Sequence, residues 1–150
     1  MITKPPALLL LLSLIITGMK GQEAQSELPY REIPDPSENY TPGTVVARMI
    51  DGLGFRYYWA TEGLRQEDLS YRPGEEARTS LETLEHIHGL TRVILNAALK
   101  KPNEAVEPGE QSFDEIRSQT LNMLKQASKI FREAEDLSQF TVVFIREGNR

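Results

Sequence analysis

Hydrophobic residues recur at helical spacing in three long stretches of the chain, separated by segments rich in proline, glycine and charge. Side chains three or four positions apart share one face of a helix, so each stretch predicts a helix with one buried side. The sequence therefore predicts an all-α domain. The apolar positions are Val46, Met49, Ile50, Leu53, Tyr57 and Ala60, then Leu81, Leu84, Ile87, Ile94, Leu95 and Ala98, and finally Phe113, Ile116, Thr120, Met123, Leu124, Ala127, Ile130, Phe131 and Ala134.

The starts of the three helices are marked by residues that cap helix N-termini. Thr41 precedes a proline, which is tolerated in a first helical turn because its missing N–H would have no partner there. Thr79 with Glu82, and Ser112 with Glu115, have the spacing of capping boxes. These signals predict that the helices begin directly after Thr41, Thr79 and Ser112.

The segments outside these helices carry other signals. Residues 64–78 contain a Pro-Gly pair and predict a loop. The run FTVVFI at residues 140–145 is β-branched and aromatic and predicts a strand, and a turn follows at residues 147–149. A single strand leaves its backbone groups unpaired, so three helices and half a hairpin indicate a domain that is incomplete at its C-terminus.

The N-terminus has the layout of a secretory signal peptide. A short positive head precedes an apolar run at residues 7–17, and a polar stretch follows. The run is shorter than the ~20 residues that span a bilayer, although an uncleaved N-terminal anchor is the alternative. We therefore predict a signal peptide at residues 1–22, an extended lead-in at 23–42 and a helical domain at 43–150. The expected location is secreted or periplasmic, with no membrane association after cleavage.

Charge and cysteine content exclude several classes of function. The net charge is −5, and removal of residues 1–21 takes away Lys4 and Lys20 and no acid, which gives −7. A chain this acidic is not expected to bind nucleic acid or an anionic membrane surface. It contains no cysteine, so neither a disulfide nor a thiol nucleophile is available and the core alone must hold the domain together.

The chain has two histidines, His86 and His88, both in the second predicted helix. Positions two apart on a helix point in nearly opposite directions, so the pair cannot chelate one metal ion together. At most one of them can face the interior of a helical bundle. The alternative for either residue is an ordinary polar position on the solvated face of the helix.

The segment EGLRQEDLSYRPGEEARTSLETLEHIHGL at residues 62–90 resembles the DinB-like superfamily of metalloenzymes. The likeness lies in the order of four pieces: a Gly-Leu end of a first helix, a Leu69 segment, the Tyr71-Arg72-Pro73-Gly74 turn, and a capped helix with His86 about two turns in. It extends from Thr41 to Ile145. The resemblance implies an up-down four-helix bundle, of which this chain supplies three helices and a terminal strand before a truncation.

The resemblance also implies a metal held by three histidines, one from the second helix and two from near the last. His86 matches the first ligand, because an apolar residue follows it as in the family pattern, whereas His88 falls outside that register. The other two histidines are absent from this sequence. Zinc, nickel or iron(II) is the implied cofactor of a complete protein, and no tight metal binding is expected for residues 1–150.

Two functions from different classes follow. The first is an exported divalent-metal-binding protein that acts on an unknown small molecule, with the reaction, and whether it is an enzyme, left open. The alternative is a non-catalytic binding or interaction module without a metal. A homodimer is compatible with both.

Overall fold

The computed structural model describes residues 27–105 and 111–145, and these contain three long helices and one short helix. They are α1 (Pro42–Thr61), α2 (Gln66–Ser70), α3 (Ser80–Ala98) and α4 (Phe113–Arg132). The expectation of an all-α domain is confirmed for this part of the chain. None of its helices is long and apolar enough to cross a membrane. The predicted signal peptide lies outside the described residues.

All three long helices begin where the sequence predicts, because each N-terminus is closed by a local side chain. The hydroxyl of Thr79 accepts from the Glu82 N–H at 3.1 Å, and the hydroxyl of Ser112 accepts from the Glu115 N–H at 3.3 Å. At the start of α1 the capping box is formed by Thr41 with Thr44. Each box satisfies backbone donors that the first helical turn would otherwise leave without a partner.

Helix α4 occupies the centre of the fold. Both α1 and α3 pack along it, and within the described residues α1 and α3 do not pack against each other. Leu121, Leu124 and Ala127 of α4 are fully buried between the two outer helices. The opposing side chains are Ala47, Ile50 and Tyr57 from α1 and Leu84, Leu95 and Ala98 from α3.

Two glycines of α1 allow close packing on its neighbours. A Cβ at Gly43 would lie 2.0 Å from the carbonyl oxygen of Ala134 and 2.3 Å from that of Phe131. A Cβ at Gly54 would lie 2.4 Å from the ring of Tyr30. The start of α1 therefore packs directly on the end of α4. The described part of the lead-in, residues 27–41 (hereafter the lead-in segment), packs on α1 through the ring of Tyr30.

The predicted loop at residues 64–78 contains α2, so that prediction was wrong for five residues. Arg65 braces the short helix: its N–H and its Nε each donate to Asp68 Oδ2 at 2.9 Å. The Arg65 side chain, followed by its backbone N–H, lowers the pKa of Asp68 to about 2. Leu69 is buried and anchors the helix. One apolar residue in five gives no periodicity, which is why the sequence pattern did not reveal this helix.

The predicted strand at residues 140–145 was also wrong, and the described residues contain no strand. The segment makes one isolated parallel bridge, between Phe144 and Asn103. The Asn103 N–H donates to the Val143 carbonyl at 2.7 Å, and the Ile145 N–H donates to the Asn103 carbonyl at 3.0 Å. A strand requires a neighbouring extended segment to form a ladder, and the fold offers this run a single residue.

Candidate functional site

The structure reverses the expected orientation of the two histidines. His86 is exposed on the outer face of α3, whereas His88 is half-buried against α4. His88 belongs to a series at four- and three-residue spacing whose other members, Leu84, Thr91 and Leu95, are buried. Thr91 is polar, so an apolar pattern alone does not show it as a core position. Its inclusion would have placed His88 rather than His86 on the inner face.

A hydrogen bond fixes the tautomer of His88. Its Nδ1 lies 3.0 Å from the hydroxyl oxygen of Thr120. That hydroxyl already donates its single hydrogen to the Ile116 carbonyl at 2.7 Å. Because Thr120 can then only accept, Nδ1 must carry the hydrogen, and the lone pair of the neutral ring lies on Nε2.

The surroundings of His88 favour its neutral form. Partial burial is the main cause that lowers the pKa of His88, and the positive charge of Arg92 lowers it further. The Ile116 carbonyl acts in the opposite direction, as an acceptor for the ring N–H. A neutral imidazole with a free Nε2 can accept a proton or bind a metal ion.

Two further polar residues lie near Thr120, namely Tyr57 in α1 and Arg117 in α4. The Tyr57 hydroxyl is buried without a hydrogen-bond partner among the described residues. Burial raises the pKa of Tyr57, and the positive charge of Arg117 partly opposes this. Arg117 donates from Nε to the Thr61 hydroxyl at 2.9 Å. We call His88, Thr120, Tyr57 and Arg117 the His88 cluster.

These residues do not form a metal site by themselves. Over residues 27–105 and 111–145, no group of three His, Cys, Asp or Glu side chains is close enough to hold an ion. The His88 cluster offers one imidazole nitrogen, and His86 points away from it. A protein site for zinc, nickel or iron(II) usually needs three or four ligands, so the described residues do not fit the metal that the resemblance implies.

A second polar cluster, which the sequence patterns did not reveal, surrounds Asp51 in α1. Asp51 is 1% exposed, and its Oδ1 accepts from the Ser128 hydroxyl at 2.6 Å and the Tyr30 hydroxyl at 3.1 Å. Arg132 forms an ion pair with Oδ2 and also donates to the Ser37 hydroxyl at 2.7 Å. We call these five residues the Asp51 cluster. It ties the lead-in segment to α1 and α4.

One signal for this cluster is present in the sequence. Asp51 shares a helical face with Ala47, Gly54 and Tyr58, which are all buried. A carboxylate on a buried stripe is unfavourable unless it is paired, so it requires partners from other segments. Burial, followed by the negative charge of Asp51, raises the pKa of Tyr30, which keeps its hydroxyl protonated as a donor.

Four residues of the Asp51 cluster, all except Ser37, line the floor of a cleft between the lead-in segment and α4. The cleft has a volume of ≈ 810 Å³. Proline and tyrosine side chains of the lead-in form one wall, and polar side chains of α4 form the other. The lining residues are Pro29, Tyr30, Pro34, Asp35, Asp51, Asn122, Lys125, Gln126, Ser128, Lys129, Arg132 and Glu133.

The two candidate regions lie at different heights along α4. Thr120 of the His88 cluster and Ser128 of the Asp51 cluster are eight residues apart, which corresponds to about 12 Å along the helix axis.

Comparison with protein family models, curated proteins and solved structures found no match to the chain.

Proposed function

We propose that this chain is a non-catalytic binding module that holds a small molecule in the cleft between the lead-in segment and α4. The supporting observation is the cleft itself. Its volume of ≈ 810 Å³ falls within the ~300–1,000 Å³ that is common for ligand pockets. The lead-in wall presents two prolines together with Asp35, and the α4 wall offers amide and ammonium groups that can orient a ligand.

The chemistry of the cleft floor favours binding over catalysis. Ser128 donates its hydrogen to Asp51, and Tyr30 donates to the same carboxylate oxygen. Arg132 is paired with the other oxygen of Asp51. The carboxylate is thus held by three donors in one arrangement. Ser128 is 3% exposed, so its hydroxyl is not accessible to a reactant in the cleft. The Asp51 cluster acts as a rigid floor.

This proposal can be tested with a fragment mixture followed by nuclear magnetic resonance of the uniformly labelled chain. We expect amide shifts that concentrate at residues 29–35 and 122–133. Gln126→Trp, which fills the cleft from α4, should abolish them. The matched control is Gln119→Trp, since Gln119 is exposed on the same helix away from the cleft. Shifts that persist in Gln126→Trp would contradict the proposal.

The second candidate is the divalent-metal-binding function that the DinB-like resemblance implies. The described residues supply only one imidazole toward the interior, so this candidate requires further ligands. The neutral ring of His88, with a lone pair on Nε2, favours His88 over His86 as the first of them. Chain-bound zinc, nickel and iron should be measured after expression in medium supplemented with each metal. Loss in His88→Ala with retention in His86→Ala would support the candidate. If neither the wild-type chain nor either variant binds a metal, only the binding module remains as a candidate function.

Export and family membership are also part of our proposal. The positive head and apolar run of residues 1–17 support a secreted or periplasmic protein. The order of the pieces between residues 62 and 90 supports a DinB-like bundle. Mass spectrometry of protein from its native host should give a mature N-terminus between Gly18 and Ala24. A mature chain that retains Met1 would favour the anchor instead.

A further inference from the structure

Two lysines of α4 line the cleft without forming ion pairs. Lys125 and Lys129 are exposed and four residues apart, so their side chains are neighbours on one face of the helix. Within the part of the chain that the structure describes, neither forms a salt bridge. The chain carries 22 acidic residues against 17 basic ones. Two adjacent lysines without a salt-bridge partner therefore offer a place for an anionic group in a chain that is acidic as a whole.

The third cation of the cleft does not contribute to this positive site. Arg132 is paired with the buried carboxylate of Asp51, so the two charges largely cancel for a ligand in the cleft. Lys125 lies seven residues before Arg132 on α4, which corresponds to about 10 Å along the helix axis. The uncompensated positive charge therefore lies toward the Lys125 end.

The acidic residues of the cleft lie toward the other end. Glu133 directly follows Arg132. Asp35 is two residues before Ser37, whose hydroxyl accepts from Arg132, so the lead-in segment carries Asp35 close to the Arg132 end. Because Glu133 is also four residues from Lys129, its charge partly offsets that lysine, and the cleft is polarised along α4 with its positive end at Lys125.

The opposite wall can hold an apolar group in a fixed position. Tyr30 fixes this wall from behind, because its hydroxyl is bound to Asp51 and its ring lies against Gly54. Pro29 and Pro34 flank it in the cleft wall. Tyr30 itself is only 6% exposed, so the prolines provide the accessible surface. Proline rings are stiff, and a flat apolar ligand surface can pack on such a wall without ordering flexible side chains.

From this arrangement we infer that the cleft binds an organic anion, namely a flat apolar body attached to a carboxylate or phosphate group. The body packs on Pro29 and Pro34, and the anionic group lies between Lys125 and Lys129. The inference rests on the proposed binding module and names the chemical class of its ligand.

The test is a resonance titration of the labelled full chain with three probes of one shape: phenyl phosphate, benzoate and neutral benzyl alcohol. We expect both anions to shift resonances of residues 29–35 and 122–129, and benzyl alcohol to shift them weakly or not at all. Comparison of the two anions distinguishes a phosphate from a carboxylate ligand. Anion affinity should fall as salt rises, because exposed charges are screened.

Two variants of equal net charge test whether Lys125 and Lys129 are responsible for anion binding. Lys125→Gln with Lys129→Gln should weaken anion binding on the order of tenfold, through loss of two exposed ionic contacts. Lys101→Gln with Arg78→Gln removes two exposed cations outside the cleft and should leave affinity unchanged. Equal weakening in both variants would overturn the inference.

The remaining outcomes separate this inference from the binding module. The anion inference fails if benzyl alcohol binds in the cleft as tightly as the anions and the double lysine variant binds the anions as tightly as the wild type. The proposed binding module is supported in that case, because a small molecule still binds in the cleft. If no probe shifts the cleft resonances and the fragment mixture does not either, both fail. Circular dichroism of each variant confirms that these surface changes leave the helices intact.

Discussion

At the scale of single residues, the buried carboxylate of Asp51 carries the largest predicted effect on stability. Removal of its side chain in Asp51→Ala leaves the Tyr30 and Ser128 hydroxyls without their acceptor and Arg132 without its counter-ion. Loss of one partner of a buried ion pair costs about 3–5 kcal/mol, and the partial exposure of Arg132 places the expectation near the lower end. Urea denaturation followed by circular dichroism measures the loss.

The control for Asp51 is Glu38→Ala in the lead-in segment. Glu38 is exposed, so this change should alter the free energy of unfolding by less than about 0.5 kcal/mol. The isosteric Asp51→Asn keeps one acceptor oxygen. Its loss of unfolding free energy should therefore lie between those of Asp51→Ala and Glu38→Ala. If Asp51→Ala were as mild as Glu38→Ala, the Asp51 cluster would not hold the lead-in segment to the helices.

His88 gives a prediction about pH dependence. The pKa of His88 is lowered below its usual value of 6.5 by burial and then by Arg92. The unfolded chain therefore binds this proton more readily than the folded chain, and stability must fall as pH drops from 6.5 through the lower folded value. His88→Gln should lose this part of the pH dependence. Urea midpoints of both proteins between pH 7.5 and 5.5 provide the measurement.

His86→Gln is the matched control for that experiment, because His86 is exposed on the same helix. It should retain the wild-type decline in stability toward acid pH. A decline that disappears in His86→Gln and persists in His88→Gln would show that the inner histidine is misassigned. The apolar pattern of the sequence does not show which of the two histidines faces inward, because the buried face of α3 includes the polar Thr91.

At the scale of elements, the starts of the long helices were predictable because a cap is a local feature. Ser112 and Glu115 lie three residues apart in the chain and close their own box. The error at residues 140–145 has the opposite origin. β-branched residues favour extended backbone, but a ladder needs a partner strand that local sequence does not identify. Within residues 27–105 and 111–145, Asn103 is the one residue that bridges to this run.

Two glycine substitutions should affect the helices in opposite directions. Gly89 in α3 has open space where a Cβ would be, so Gly89→Ala should stabilise the protein by up to about 1 kcal/mol through helix propensity. Gly43→Ala should destabilise it, because its methyl group would lie 2.0 Å from the backbone oxygen of Ala134 and α1 must shift. Thermal unfolding of the two variants measures both signs, and a rise in Tm for Gly43→Ala would contradict the close contact.

At the scale of the whole molecule, the central position of α4 could not be read from the sequence. Its apolar stripe predicted a buried face, and Leu124 is indeed fully buried. The stripe does not reveal that α1 and α3 both pack on this helix and not on each other. The Asp51 cluster was equally hidden, because it joins Tyr30, Asp51 and Ser128 from three distant segments.

This arrangement predicts a hierarchy of amide hydrogen exchange. Amides around Leu121, Leu124 and Ala127 lie between two packed helices, so they should exchange only when the whole domain unfolds. Amides of α2 should exchange by local opening, since this five-residue helix is anchored by the buried Leu69 alone. Exchange measured at increasing sub-denaturing urea distinguishes the two modes, because only global unfolding accelerates strongly with urea.

The variant Leu124→Ala allows the predicted hierarchy of amide exchange to be tested quantitatively. The change should lower global stability by about 2–5 kcal/mol through loss of buried contacts and the cavity that remains. The protection of α4 amides should fall by the same free energy, while that of α2 amides should not change, because their opening does not involve Leu124. Glu85→Ala, on the exposed face of α3, should leave both groups unchanged. If α2 lost protection in step with α4 in Leu124→Ala, the domain would open as one cooperative unit, and the hierarchy built on a central α4 would be wrong.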